Sequence, residues 1–190
     1  MTPGVFIDRD GTLIEEVNFL HRPEQVKLTA GIASAIKSAN SKNVPVIVIS
    51  NQSGVGRGLF TENDVEQVHC HIQGLLKKEN CFISGFYFCP HHIGSPNPIY
   101  NKKCGCRKPG SESFLVASKN FDIDLKKSVM IGDKMLDLHS ATNLDMQPVL
   151  VETGYGKETF LSNELPPRTV VCGNASLAIH WFLEKIEKVL

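Results

Sequence analysis

The chain has 190 residues, 20 Lys plus Arg balanced by 20 Asp plus Glu, and 42% of it is apolar. That composition excludes a disordered or low-complexity protein, and the neutral balance tells against a nucleic-acid binder, which normally carries a basic excess. No apolar run reaches the ~18 residues of a bilayer span, and the start Met1-Thr2-Pro3-Gly4-Val5-Phe6-Ile7-Asp8 lacks the basic segment of a signal peptide. The expectation is therefore a cytoplasmic protein without membrane contact, a single domain over residues 1–190, and a monomer. In a reducing compartment, clustered cysteines read as metal ligands before disulfides.

Short apolar runs recur along the chain with room for helices between them. Val5-Phe6-Ile7-Asp8 comes first, followed by a helical stretch over about 30–43. Pro45-Val46-Ile47-Val48-Ile49-Ser50 leads into a helix over about 61–79, whose Thr61 and Asp64 have the spacing of an N-cap and its acidic N3 partner. Phe86-Tyr87-Phe88 precedes a segment, 90–110, that fits no regular pattern: Pro90, Gly94, Pro96, Pro98, Gly105 and Pro109 make it a long loop. Loops of that length inside a compact domain are usually functional or tied by a metal. Helix 111–120, strand Ser128–Gly132, helix 134–145, strand Pro148–Val151, a weaker strand Val170–Cys172 and a helix from about 174 to 188 complete the chain. The strands are apolar throughout and do not alternate, as parallel strands covered on both faces do. Strands alternating with helices predict an α/β, doubly wound parallel sheet.

Four groups of residues carry chemistry. Asp8-Arg9-Asp10-Gly11-Thr12 ends the first strand, so both carboxylates are expected at the carboxyl edge of the sheet, where open α/β sheets bind ligands. Paired carboxylates repel unless a cation joins them, and a hard cation such as Mg²⁺ takes oxygen ligands. Gly11 permits a tight turn, and Thr12 offers a hydroxyl and an N–H to a phosphate. Ser50-Asn51-Gln52-Ser53-Gly54 follows the second strand and supplies a further hydroxyl and amide donors for phosphoryl oxygens. Asp133 ends the fourth strand as a third metal ligand. Asp137 is placed to support the first turn of the next helix, and Lys134 to reach substrate or pair with a carboxylate. Finally, Cys89-Pro90-His91-His92 and Cys104-Gly105-Cys106 supply three thiolates and an imidazole, the set of a structural Zn²⁺ site. Either histidine can complete it; His91 is favoured because Cys-x-His mirrors Cys-x-Cys. Cys70, Cys81 and Cys172 read as small buried hydrophobes, and His69 and His71 as uninvolved in chemistry.

Asp8-x-Asp10-Gly11-Thr12, Ser50, Lys108 and Gly132-Asp133 resemble, in order, the four motifs of haloacid dehalogenase-like (HAD) phosphatases, over residues 5–137. Within that superfamily, the Cys/His loop running into Arg107-Lys108-Pro109, together with Ser50–Gly54 and Arg57-Gly58-x-Phe60-Thr61, resembles the heptose 1,7-bisphosphate 7-phosphatases. The chain departs from them in following Pro109 with Gly110-Ser111-Glu112-Ser113. Histidinol-phosphate phosphatases are similar but have a shorter zinc loop. The resemblance implies a HAD-like Rossmannoid sheet with a minimal cap and a zinc-tied loop over 89–108. It implies Asp8 as nucleophile, Asp10 as general acid and base, and Ser50 and Lys108 as stabilisers of the transferring phosphoryl group. Mg²⁺ would lie between Asp8, the Asp10 carbonyl and Asp133. Gly11, Thr12, Glu16, Val17, Asn18, Phe19, Asn51, Gln52, Ser53, Arg107 and Lys134 would bind a small phosphorylated sugar, with Arg107 on its second phosphate. The expected role is in nucleotide-activated heptose biosynthesis. The competing readings are another small-metabolite phosphatase, histidinol phosphate included, and a catalytically silent zinc-tied binding module.

Overall fold

The computed structural model describes residues 1–162 and 164–188. Strands β1 (Val5–Ile7), β2 (Val46–Asn51), β3 (Gly85–Cys89), β4 (Val129–Gly132), β5 (Gln147–Val151) and β6 (Val170–Cys172) are all parallel and lie in the order β3-β2-β1-β4-β5-β6. The helices are α1 (Ile32–Ser41), α2 (Ser53–Gly56), α3 (Glu62–Lys78), α4 (Glu112–Phe121), α5 (Met135–Asn143), α6 (Gly156–Ser162) and α7 (Ala175–Glu187). This is the expected doubly wound sheet. Its winding reverses at β1, which pairs with β2 on one side and β4 on the other, so a crevice opens at the carboxyl ends of β1 and β4.

The alternation of side chains along β1 divides the core. Val5 and Ile7 join Ile32 and Ile36 of α1, Val68 and Ile72 of α3, and Ile179 and Phe182 of α7 on one face. Phe6 points the other way and packs with Phe114 and Ala117 of α4 and Ala141 of α5. Thr61 caps α3 as its spacing predicts: Asp64 N–H donates to Thr61 Oγ1 at 3.2 Å, and Thr61 N–H returns to Asp64 Oδ2 at 2.7 Å.

Two helices escape the sequence pattern. Helix α2 has glycine at two of its four positions. A Cβ on Gly54 would lie 2.1 Å from the Phe60 ring, so the glycine is what lets Phe60 close over this turn. Helix α6 is only seven residues long and carries no apolar stripe beyond Gly156 and Thr159 as buried positions. Among the remaining cysteines, only Cys81 is buried; Cys70 faces solvent on α3 and Cys172 is half-buried at the edge strand β6. His69, one residue before Cys70, turns inward and stacks on Phe86 of β3 with ring centroids 4.6 Å apart. Burial, reinforced by the Arg9 guanidinium, lowers its pKa to about 3, so the imidazole is neutral.

Phe114 is fully buried and meets Phe6 with centroids 5.4 Å apart. Phe114→Ala is expected to destabilise the fold by about 3–5 kcal/mol, a transfer loss plus a cavity term. Urea titration should show a lower midpoint with an unchanged slope.

Candidate active site

The end of β1 is built around two glycines. Asp8 N–H donates to the Ile131 carbonyl at 2.9 Å, which carries the β1–β4 pairing one residue beyond the strand. The chain then turns at Gly11, whose φ is +81°, in the left-handed region. A Cβ at Gly11 would meet Asp133 Oδ2 at 2.4 Å and the Gly154 Cα at 3.0 Å. Both the backbone angle and the close approach demand glycine, and together they seat Asp133 beneath the turn.

Lys108 is the centre of the charge arrangement. Its ammonium lies 2.8 Å from Asp8 Oδ1, 2.6 Å from Asp137 Oδ1 and 2.7 Å from the Ile49 carbonyl. Three acceptors match the three protons of an ammonium. Asn51, at the end of β2, fixes the Lys108 backbone from both sides: its Oδ1 accepts from Lys108 N–H at 2.9 Å and its Nδ2 donates to the Lys108 carbonyl at 3.2 Å. Burial alone would lower the lysine pKa, but Asp137 and Asp8 outweigh it and hold it above its usual value. Asp137 also accepts from Lys134 N–H at 3.1 Å. It thus supports the first turn of α5, as its position suggested, and anchors Lys108 as well.

The three carboxylates brought together are Asp8, Asp133 and Asp137, each offering an oxygen within 4.8 Å of the others, and all are buried. The Asp10 carboxylate is not among them. The Asp8 and Asp10 carboxylates therefore do not converge, contrary to the expectation from their spacing in an extended strand. The strand ends at Ile7, and Asp10 lies in the turn with its carboxylate held by Arg9 and by Gln52 Nε2 at 2.9 Å. Burial, then the charge of Asp8, raises the Asp133 carboxyl to about 7. Burial likewise raises Asp137 to about 6, against the pull of Lys108. Among the described residues, Asp133 Oδ1, Thr12 Oγ1 and Ser50 Oγ are buried with no hydrogen-bond partner, although Lys134 Nζ stands 3.3 Å from Asp133 Oδ1. Hard oxygen donors crowded and under-satisfied in this way suit a divalent cation, and the two free hydroxyls suit phosphoryl oxygens.

Beside this cluster lies a cleft of about 230 Å³ whose wall includes Asp10, Glu16, Val17, Asn18, Phe19, Asn51, Gln52, Ser53 and Lys134. Glu16 and Lys134 pair across it at 3.4 Å. Arg107 is not part of that wall; its guanidinium donates to the His91 carbonyl at 3.3 Å. The sequence-predicted site did not include Arg9, Leu20, Gly54, Phe60 or Tyr155 of this wall, and two of these touch the charged groups. Arg9 is buried between its neighbouring aspartates, and an arginine inside an apolar strand end is the signal that pointed to it. Tyr155 donates its N–H to Asp133 Oδ2 at 2.9 Å and offers its ring to Lys134 Nζ at 4.8 Å. It follows β5 in a stretch with no motif, and nothing in the sequence marks it.

At the edge of the sheet, Cys89, His91, Cys104 and Cys106 present their Sγ and ring-nitrogen atoms within 4.8 Å of one another. Cys89 is the last residue of β3, and the imidazole nitrogen involved is His91 Nδ1, 3.5 Å from Cys89 Sγ and 3.3 Å from Cys106 Sγ. His92 is not part of this group; its backbone and Cβ lie close to Gly56. Three thiols and an imidazole in a closed group are the donors of a structural zinc site, with no position left for substrate.

A reversed-winding parallel sheet that sets an aspartate, a serine, a lysine and a second aspartate at its carboxyl edge defines a HAD-like hydrolase acting on phosphoric monoesters. Comparison with known proteins agrees. A HAD-hydrolase-like family profile matches residues 105–175. The D-glycero-beta-D-manno-heptose-1,7-bisphosphate 7-phosphatase of Photorhabdus laumondii is 34% identical over 80% of this chain and 81% of its own. The D-glycero-alpha-D-manno-heptose-1,7-bisphosphate 7-phosphatase of the same organism is 32% identical over 84% and 91%. The crystal structure of D,D-heptose 1,7-bisphosphate phosphatase from B. bronchiseptica, complexed with magnesium and phosphate, superposes with a TM-score of 0.86 at 26% identity, covering 97% of this chain and 99% of that one. The chain belongs to the family of D-glycero-D-manno-heptose-1,7-bisphosphate 7-phosphatases.

The raised carboxyls give a signed pH dependence. In the cation-free fold the Asp133 and Asp137 carboxyls keep protons, between about pH 4 and pH 7, that they release in the unfolded chain, so their own contribution to stability falls as pH rises through that window, while the neutral His69 contributes with the opposite sign. A divalent cation must displace those protons, so it is expected to bind more tightly above pH 7 than below. Thermal scans with and without Mg²⁺ should show a clear stabilisation at pH 8 that shrinks at pH 5.5.

Proposed function

We propose that this chain removes the 7-phosphate of D-glycero-D-manno-heptose 1,7-bisphosphate through an aspartyl-phosphate intermediate, as a cytoplasmic monomer within nucleotide-activated heptose biosynthesis. The observation that carries the reading is the buried Asp8 carboxylate, paired with Lys108 and flanked by the unpartnered hydroxyls of Thr12 and Ser50. The relatives named above supply the sugar. A silent binding module has no need for a nucleophile held in this way, and no relative cited above is named for histidinol phosphate.

Asp8 attacks phosphorus as the bond from phosphorus to the sugar oxygen breaks, and Asp10 gives its carboxyl proton to the departing oxygen. Water then attacks phosphorus, its proton passing to the Asp10 carboxylate, and the bond to Asp8 breaks to release phosphate. Splitting the displacement in two lowers each barrier. Lys108 and Ser50 balance charge on the equatorial oxygens, which is where catalysis of phosphoryl transfer mainly lies. The Asp8 and Asp133 carboxylates and the Asp10 carbonyl would hold Mg²⁺, which would supply positive charge between nucleophile and phosphate. Gly11, the segments Glu16–Phe19 and Asn51–Ser53, and Lys134 orient the sugar. Cys89, His91, Cys104 and Cys106 would hold zinc, which would fix the loop, and Arg107, one residue past Cys106, grips the second phosphate through its planar fork.

Asp8→Asn should abolish turnover and leave no phosphate on the protein, whereas Asp10→Asn should accumulate phosphoenzyme and hydrolyse it slowly. Acid-quenched mass spectrometry reads both, and equal phosphate on the Asp8→Asn protein would remove the nucleophile assignment.

Arg107→Ala should weaken activity on the bisphosphate more than on a heptose 7-monophosphate. A lost charge-assisted contact costs about 1.5–3 kcal/mol, roughly ten- to a hundredfold in kcat/KM. Equal losses on the two substrates would assign Arg107 to the general chemistry or to the loop.

A further inference from the structure

Arg9 is 1% exposed, yet most of its hydrogen bonds go to one neighbour and that neighbour's partner. Its Nε donates to Asp10 Oδ1 and Oδ2 at 3.2 and 3.1 Å, and its Nη2 to Asp10 Oδ1 at 3.0 Å. The same Nη2 reaches Gln52 Oε1 at 3.0 Å and the Leu20 carbonyl at 3.3 Å. Gln52 Nε2 closes the ring by donating to Asp10 Oδ2 at 2.9 Å. The Asp10 carboxylate is thus gripped by a side chain from its own turn and by one that follows β2. Asp10 itself keeps 19% of its side chain exposed, on the wall of the cleft.

Burying a guanidinium is expensive, and a buried ion pair is seldom worth more to stability than well-packed apolar groups in its place. Arg9 is therefore poorly explained as a stabilising residue. Its geometry does explain something else. An aspartate at the edge of a cleft has two free torsions, and a proton donor about 1 Å out of place can lose on the order of a hundredfold in rate.

We propose that Arg9 is a positioning residue for Asp10: its planar fork, braced by Gln52 and the Leu20 carbonyl, aims the Asp10 carboxyl at the oxygen that leaves phosphorus. The proposal rests on Asp10 being the general acid and base, as set out above. Arginine is required because only a rigid fork meets both carboxylate oxygens at once; lysine would supply charge without direction.

The test uses leaving groups. An alkoxide needs a proton as it departs, whereas p-nitrophenolate does not, so a misplaced acid harms alkyl phosphates selectively. The quantity to measure is kcat/KM, which reports steps through phosphoenzyme formation, for the heptose bisphosphate and for p-nitrophenyl phosphate. For Arg9→Met the loss on the sugar phosphate should reach about a hundredfold and exceed the loss on the aryl ester by at least about tenfold. Arg9→Met/Asp10→Asn should be no slower on the sugar than Asp10→Asn alone, because the two residues act through one proton transfer. Where circular dichroism shows Arg9→Met unfolded, Arg9→Lys, which keeps the buried charge, is judged by the same ratio. Equal losses on the two esters, with Asp10→Asn still discriminating between them, would overturn the role of Arg9. Should Asp10→Asn itself fail to discriminate, the acid assignment falls, and the proposal with it.

Discussion

The Lys108 ammonium has three protons and three acceptors, and most of the site follows from satisfying them. Two of the acceptors are carboxylates from opposite sides of the sheet's turning point, Asp8 after β1 and Asp137 in α5. The third is the Ile49 carbonyl of β2. A single buried cation therefore holds three elements in register, and an uncompensated charge would remain if any one partner were lost. Lys108 comes from the loop that ends the Cys/His segment, so its position also depends on how that loop is tied. The Asn51 amide, bonded to both the N–H and the carbonyl of Lys108, is the clamp that transmits the position of β2 to the lysine.

The charges around the cleft do not cancel. Asp8, Asp10, Glu16, Asp133 and Asp137 face Lys108, Lys134 and Arg9. When all are ionised the cluster is two negative charges in excess, within a chain that is neutral overall. Burial and then the charge of Asp8 raise Asp133 within this cluster, and the excess equals the charge of one divalent cation. A metal there would return the site to neutrality before a phosphate enters it.

Much of this was legible in the sequence, for identifiable reasons. Parallel strands buried on both faces have to be apolar throughout, and β1, β2 and β4 announce themselves in that way. Motif residues at strand ends lie where the topology must bring them together, so Asp8, Ser50 and Asp133 followed from the strands alone. The cysteine spacing marked the loop, and the choice of His91 over His92 followed from symmetry with Cys104-x-Cys106. The orientation of Asp10 did not follow, because it depends on where the strand ends and on a side chain, Arg9, whose partners lie 11 and 43 residues away. Tyr155 and α6 were hidden because they follow no periodicity; a backbone N–H on Asp133 and a short turn against β5 leave no mark on composition. Cys70 shows the limit of reading residue type alone, since its neighbour His69 took the inward position on α3.

The placement of β1 between β2 and β4 also has a consequence for synthesis. Gly4 bonds Ser128 across 124 residues of chain, which a ribosome adds in roughly 6–25 s at usual rates. Through that interval β1 can pair with β2 only, and its other edge, with Val5, Phe6 and Ile7, stays bare. Such an edge is a template for unwanted strand addition. The nascent chain thus carries the nucleophile about 100 residues before its lysine and about 125 before its second aspartate.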